Sequence, residues 1–381
     1  MKTLIFMLIL QTGWIISNAG LLFGGPPNDT SGVTYLTMKK ASSCYRLYSS
    51  RHTQTAHLID ACGNEVHQWH YDMRGRVEEN TSGFGMTWHY AEMLPNGHLL
   101  AIIKDKMMLE LNWNSNLVWK VDTRAHHDFQ RLQNGNTLVV SRRDIDIPWQ
   151  SNGKIASDIV YEYTPEKEIV WKWKAEEHIK ELKDRVDLPH PPPEEFNDWP
   201  HINTVEVLAQ NPIAGKDSRF QSGNILFCGR HINTIWVVDR ETGKVVWAWG
   251  PEVLEGPHMP TMLPNGHILV YDNGHWTGET QRGYTQIIEL DPLTNEIVWK
   301  YKAEPSEKFY SPSRGSNALL SNGNVLIAES DSGHLFEITR EGEVVWEFYN
   351  PDIRDNGERD ALYRAVPYPY EIVKKLLSLW Q

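Results

Sequence analysis

The strongest constraint in this chain is a short apolar element that ends in tryptophan and returns six times. It reads Asn64-Glu65-Val66-His67-Gln68-Trp69, then Asn116-Leu117-Val118-Trp119, then Glu168-Ile169-Val170-Trp171. It continues as Lys244-Val245-Val246-Trp247, Glu296-Ile297-Val298-Trp299 and Glu343-Val344-Val345-Trp346. Successive tryptophans stand 50, 52, 76, 52 and 47 residues apart. A second element interleaves with the first, a turn that opens a strand. It appears as Leu94-Pro95-Asn96-Gly97-His98-Leu99, Leu132-Gln133-Asn134-Gly135-Asn136-Thr137, Leu263-Pro264-Asn265-Gly266-His267-Ile268 and Leu320-Ser321-Asn322-Gly323-Asn324-Val325, with Ser222-Gly223-Asn224-Ile225 as a looser copy. Asn-Gly between apolar runs is the strongest short hairpin signal, because both residues tolerate the positive φ of a tight turn.

Each unit therefore supplies four short strands and no long helical period. A four-stranded unit repeated radially is a propeller blade. The fold class expected is all-β: a six-bladed β-propeller with a short C-terminal helical extension. A β-sandwich pair or a linear solenoid is the weaker alternative. The tryptophans belong on the outer strands, packed between neighbouring blades. Five Asn-Gly or Ser-Gly turns against six Trp elements imply that one blade is closed by strands from both ends of the chain, which removes exposed sheet edges.

Residues 1–19 read as a signal peptide or, uncleaved, an N-terminal anchor, since an apolar run after Lys2 ends at the small residues Ser17 and Ala19. That predicts a secreted or periplasmic protein, with a membrane touched only through this segment. Residues 35–350 are assigned to the propeller and 351–381 to the extension, where 371–380 has an amphipathic helical pattern. The largest insertion, about Glu176 to Pro200, reads as a loop with a short helix that covers one mouth of the channel. Cys44 and Cys62 flank one predicted hairpin, which leaves a disulfide between them open, and Cys228 reads as a buried thiol. The formal net charge of −12 argues against nucleic acid as a partner.

Candidate chemistry emerges by counting back eight residues from the turn glycines. That reaches His89 from Gly97, His127 from Gly135, His258 from Gly266 and Gly315, beside Arg314, from Gly323. In the fourth unit an insertion breaks the count, but five residues separate Asn203 from Leu208 as five separate His258 from Leu263. These positions begin the innermost strands, so their side chains should converge at one mouth of the axis. His201 lies two residues before Asn203, and Arg230 ends a second strand and can reach inward. Neutral imidazoles, an amide and a guanidinium suit a tetrahedral anion. An imidazole also serves as nucleophile or general acid. A three-histidine metal site is the rival chemistry, and it lacks a carboxylate in register apart from Asp128.

The run Asn197-Asp198-Trp199-Pro200-His201-Ile202-Asn203, then Gly229-Arg230-His231 and Gly256-Pro257-His258 before Leu263-Pro264-Asn265-Gly266-His267, resembles the arylsulfotransferase family. The resemblance covers roughly residues 85 to 350 and is most specific from His201 to Asn273. It implies a PAPS-independent aryl-sulfate sulfotransferase that exchanges a sulfuryl group between an aryl sulfate and a phenol, with no cofactor. By motif, His258 resembles the histidine that takes the sulfuryl group, and His201, Asn203 and Arg230 match residues that hold the sulfate oxygens. The His126-His127-Asp128 run matches a further active-site histidine; register favours His127 over His126 and leaves the choice open. Arg314 resembles another mouth residue. The chain is shorter than the long bacterial enzymes, lacks their N-terminal β domain and has Met259 where they often carry Asp. Two other readings compete: a non-catalytic binding propeller, and a quinoprotein-like oxidoreductase suggested by the docking-like run from Asp239 to Trp247.

Overall fold

The computed structural model describes residues 30–73, 88–146, 153–188, 198–275 and 282–380, and in them each Trp-ended element forms the fourth strand of a four-stranded antiparallel unit. Six such sheets make the propeller. Blades II to VI follow chain order, with innermost strands Trp88–Met93, Ala125–Arg131, Ile202–Val207, His258–Met262 and Ser316–Leu319. Blade I is built from both chain ends: Leu362–Tyr368 is its innermost strand, followed outward by Tyr45–Ser50, Thr55–Ile59 and Glu65–His70. The N-terminal strand Gly32–Leu36 adds a fifth strand outside Val344–Tyr349 of blade VI. The ring is thus closed twice, once at the axis and once at the rim.

The propeller therefore reaches past the 35–350 boundary expected from sequence. Leu362-Tyr363-Arg364-Ala365-Val366-Pro367-Tyr368 carries no turn of its own, because its partner strand comes from the other end of the chain. The true extension is the helix Tyr370–Trp380, which docks through Val373 and Leu376 beside Pro95 and Asn96, at the end away from the histidines. The insertion holds a short helix, Ile179–Lys183, while its proline-rich part, residues 189–197, lies outside the described residues, as does the N-terminal run. Among the described residues no helix is long and apolar enough to cross a membrane. Cys44 and Cys62 are free thiols: Cys44 packs into the apolar interface with blade VI while Cys62 sits on an exposed turn, so no disulfide joins them. Cys228 is buried in its strand.

Blade contacts follow the tryptophans. The indole N–H of Trp119 donates to Pro165 O at 2.9 Å, that of Trp171 to Arg240 O at 3.2 Å, that of Trp299 to Arg340 O at 2.8 Å and that of Trp346 to Ala61 O at 2.8 Å. Each acceptor lies in the turn between the third and fourth strands of the next blade. One ring thus fills the interface and fastens the neighbour's turn. Trp346 is fully buried, with the Arg46 guanidinium 4.0 Å from its ring centroid and paired to Glu337.

At the axis the inner edges would leave backbone N–H groups unpaired. Side chains of adjacent blades satisfy them. Tyr368 Oη accepts from Met93 N, His89 Nδ1 from His127 N, Asp128 Oδ2 from Val205 N and Gln130 Oε1 from Val207 N. Thr204 Oγ1 accepts from Met259 N, Glu206 from Met262 N and Ser316 Oγ from Ala365 N, while Asn317 Nδ2 donates to Met259 O. All six blade junctions are crossed.

Trp346→Ala should cost about 3–5 kcal/mol, the range for truncating a buried large aromatic, read as a lower denaturation midpoint at unchanged slope; a loss under about 0.5 kcal/mol, the scale of a surface substitution, would show that the rim staple is not holding the ring.

Candidate active site

The innermost strands of blades II to V open irregularly. Pairing skips between Trp88 and Ala91, across His126-His127-Asp128, between Ile202 and Thr204, and between His258 and Thr261. His127, His201 and Met259 hold positive φ values of 59°, 64° and 47°, which non-glycine residues rarely adopt. Bulges re-aim side chains, and here they turn imidazoles toward the axis. In blade VI the equivalent position is Gly315, where an added Cβ would lie 2.1 Å from the Tyr271 ring; the ring occupies the space a side chain would need.

Four imidazoles pack in sequence. His89 and His127 have ring centroids 4.6 Å apart, His127 and His201 4.6 Å, and His201 and His231 4.3 Å. His126 Nδ1 is 2.6 Å from His127 Nδ1, and His127 Nε2 is 3.2 Å from His201 Nε2. His201 Nδ1 meets Asp198 Oδ2 at 2.8 Å, and Arg142 donates to the same oxygen at 2.7 Å. Burial pushes His126 down to about 3 and holds His127 and His201 below the usual imidazole range, so all three are neutral at pH 7. Burial alone would raise the Asp198 carboxyl, but His201 and Arg142 hold it well below the carboxylate range.

These protonation states fix every tautomer. The Asp198 carboxylate requires His201 Nδ1–H, so His201 Nε2 is a lone pair. His127 must then donate from Nε2, which leaves its Nδ1 to accept from His126 Nδ1–H. His126 Nε2, now a lone pair, lies 3.1 Å from Asp158 Oδ1, although the two atoms do not meet at a hydrogen-bonding angle. Burial, with Asp198 nearby, raises Asp158 to about 7, so Oδ1 can carry the proton that faces it, while Oδ2 accepts from Ile202 N at 2.6 Å. The result is one directed row, His126, His127, His201, Asp198, with the Asp158 carboxyl in close approach at its head.

His258 stands at the other side of the site. Its Nδ1 lies 2.7 Å from Asn273 Oδ1 and 3.1 Å from Gly256 O. The Asn273 amide cannot be turned around, because its Nδ2 donates to Ser311 O at 2.6 Å and Arg314 O at 3.0 Å. Both partners of Nδ1 are acceptors, so Nδ1 carries the proton and Nε2 the lone pair. Nε2 is buried with no hydrogen-bond partner. Burial, then the Arg230 charge, holds this imidazole well below its usual range. Arg230 donates to His231 Nε2 at 2.8 Å and to Pro312 O at 3.3 Å, makes no ion pair among the described residues and leaves its buried Nε unbonded. Asp331 and Asp198 attract its charge without pairing with it.

The structure thus brings His127, His201, Arg230 and His258 to one mouth. His127, not His126, faces the other blades; His126 is turned into its own sheet. Asn203 is fully buried and donates to Pro257 O at 2.7 Å, so it holds the backbone just before His258. Arg314 pairs with Asp331 at 2.6 Å while its carbonyl anchors Asn273. The sequence reading had not assigned Asp158, Asp198, His231 or Asn273. Asn273 was within reach: it lies seven residues after Gly266, as Arg230 lies seven after Gly223. Asp158 was not, since only the fold brings it under His126. Among the described residues no three His, Cys, Asp or Glu side chains are grouped to hold a metal ion; the ring nitrogens instead bond one another.

Fold and site together define a β-propeller whose axial mouth holds a neutral histidine lone pair and a guanidinium with no ion pair among the described residues. The family model described as Arylsulfotransferase (ASST) matches residues 90–351, and the chain belongs to that family. No curated protein matches it. Among solved structures, a protein of unknown function from Bacteroides caccae superposes with a TM-score of 0.55 at 15% identity, covering 86% of this chain and 99% of that one. A virginiamycin B lyase from Staphylococcus aureus gives 0.40 at 12% identity, over 70% and 71% of the two chains. The first likeness bears on the fold alone.

Because burial depresses these imidazoles, their neutral form persists as pH falls below the ordinary 6.5. Nitrogen NMR of histidine-labelled protein should show His258 as the Nδ1–H tautomer, with no titration between about pH 7.5 and 5.5. An ordinary titration near 6.5 would contradict the enclosed site.

Proposed function

We propose that this protein moves a sulfuryl group from an aryl sulfate to a phenol through a sulfo-histidine at His258. The observation that carries the reading is the bare Nε2 lone pair of His258, aimed by Asn273 and lacking any partner, in a site whose guanidinium also lacks an anion. A neutral, desolvated imidazole is a nucleophile without first losing a proton.

In the first step the His258 Nε2 lone pair forms an N–S bond as the S–O(aryl) bond breaks. The bond's electron pair leaves with the phenolate. Arg230 offers N–H donors to the sulfuryl oxygens as charge shifts among them. The phenolate takes the Nε2 proton of His127, which recovers one from His126 on Nδ1, and His126 recovers one from Asp158. The Asp158 carboxyl is left ionised. In the second step an acceptor phenol attacks sulfur, its O–S bond forms as N–S breaks, and its proton returns to His127 and resets the chain. Protons and charges balance over the cycle, and no cofactor is consumed.

His258→Ala should release no para-nitrophenol from para-nitrophenyl sulfate with phenol present, and wild type quenched before acceptor is added should show a sulfated His258 peptide by mass spectrometry. Donor turnover undiminished in the variant sinks the proposal. Arg230→Lys, which keeps the charge and loses the fork, should lower kcat about 10²–10³-fold.

Asp158→Asn can still donate to His126 but cannot surrender a proton. It should slow phenyl sulfate, whose leaving group needs protonation, at least about tenfold more than para-nitrophenyl sulfate; equal effects on both donors would remove Asp158 from the proton path. The apolar N-terminal run supports an exported or anchored enzyme, and N-terminal sequencing of the expressed protein tests that.

A further inference from the structure

The backbone that carries His258 is not held by strand pairing alone. Its ladder with Ile268–Asp272 skips from His258 to Thr261, and Met259 sits in that gap with a φ of 47°. Such a conformation persists only where the surroundings impose it. Here they are side chains of the two neighbouring blades. From blade IV, Asn233 Oδ1 accepts from Gly256 N at 2.8 Å, Asn203 Nδ2 donates to Pro257 O at 2.7 Å and Thr204 Oγ1 accepts from Met259 N at 3.1 Å. From blade VI, Asn317 Nδ2 donates to Met259 O at 3.2 Å.

Thr204 is common to the bonds on both sides of His258. Its hydroxyl donates to Asn203 Oδ1 at 3.0 Å while it accepts from Met259 N. A hydroxyl has one donor and two acceptor sites, so it makes both bonds at once. The donated bond turns the Asn203 amide so that Nδ2 faces Pro257 O, just before His258. The accepted bond holds Met259, just after it. Thr204 and Asn203 are both buried, so solvent water does not stand in for either bond.

The consequence falls on the imidazole. Asn273 Oδ1 and Gly256 O take its Nδ1–H. The bonds at Pro257 and Met259 fix where the ring is rooted. Nε2 makes no bond of its own, so its place is inherited from these anchors.

We infer that Thr204 is a positioning residue of this site: through Asn203 on one side and Met259 on the other, its hydroxyl sets where His258 Nε2 stands. That Nε2 attacks sulfur rests on the proposed function; that Thr204 places it does not.

Two substitutions in the full chain separate shape from hydrogen bonding. Thr204→Val keeps the outline of the side chain and removes both bonds, whereas Thr204→Ser keeps both bonds and removes a methyl group. Each variant's fold is checked by thermal unfolding, and turnover is measured with para-nitrophenyl sulfate and phenol. Thr204→Val should lower kcat about 10- to 100-fold, since a misplacement of about 1 Å costs on the order of the larger figure, with KM changed less than about threefold. Thr204→Ser should stay within about threefold of wild type, because its hydroxyl makes the same two bonds. Nitrogen NMR of histidine-labelled protein should show the His258 ring resonances moved in Thr204→Val and restored in Thr204→Ser, with those of His334 in blade VI unmoved in both. If Thr204→Val does not fold, Thr204→Cys replaces it, since sulfur is a weak acceptor. Unmoved His258 resonances, undiminished kcat, or a serine variant as slow as the valine one overturns the positioning role. Wild-type protein without turnover removes sulfuryl transfer and leaves the resonances to decide: moved, they keep the role of Thr204; unmoved, they end it.

Discussion

The hydrogen bonds that cross from blade to blade around the axis are what the rest of this molecule depends on. An inner strand has a partner on one side only. Its free edge faces the channel, where buried N–H groups are costly to leave unmet. Here the neighbour's side chains meet them, from Tyr368 on Met93 through Asp128 on Val205 to Ser316 on Ala365. Asp128 also pairs with Arg364 at 2.8 Å, and Arg364 donates to Asn203 O at 2.6 Å, so blades I, III and IV are tied at one point. The channel is therefore a filled polar core rather than a pore. A histidine placed at its mouth inherits a rigid, poorly solvated setting.

That setting decides the protonation states. Exposed, six imidazoles would titrate near 6.5 and repel one another when charged. Buried, they stay neutral, and neutral imidazole has one donor and one acceptor. A row of such rings must then point one way, and the ion pair of Asp198 with Arg142 decides which. The same burial leaves His258 with a lone pair that nothing among the described residues satisfies. Desolvation thus does two jobs: it orders a row of hydrogen-bonded imidazoles on one side of the mouth and leaves a bare ring nitrogen on the other.

Much of this was legible in the sequence. The Trp spacing gave the blade number, and Asn-Gly turns gave a ruler along each inner strand, because a hairpin fixes register to the residue. His127 and His258 were found with that ruler, and Asn203 by its matching distance to Leu208. His126 and His127 could not be separated, since a bulge decides which of two neighbours faces the axis, and the bulge comes from pairing with Thr137–Asp146. Asn203 has its amide on Pro257 O, a contact that strand alternation could not foresee. The closing strand Leu362–Tyr368 was missed because it has no turn and no tryptophan.

By itself, then, the sequence determined whatever follows from local spacing: six blades, strand order within each, and which inner strands begin with imidazoles. Only the tertiary structure decided what depends on residues far apart in the chain. It set which atoms lose water, hence which groups stay neutral, and it set the partners that assign each proton, as Asn273 does for His258 across 15 residues and the Ile202 N–H for Asp158 across 44. Spacing is a property of the chain, whereas protonation answers to the surrounding dielectric and neighbouring charge, which exist only once the ring has closed.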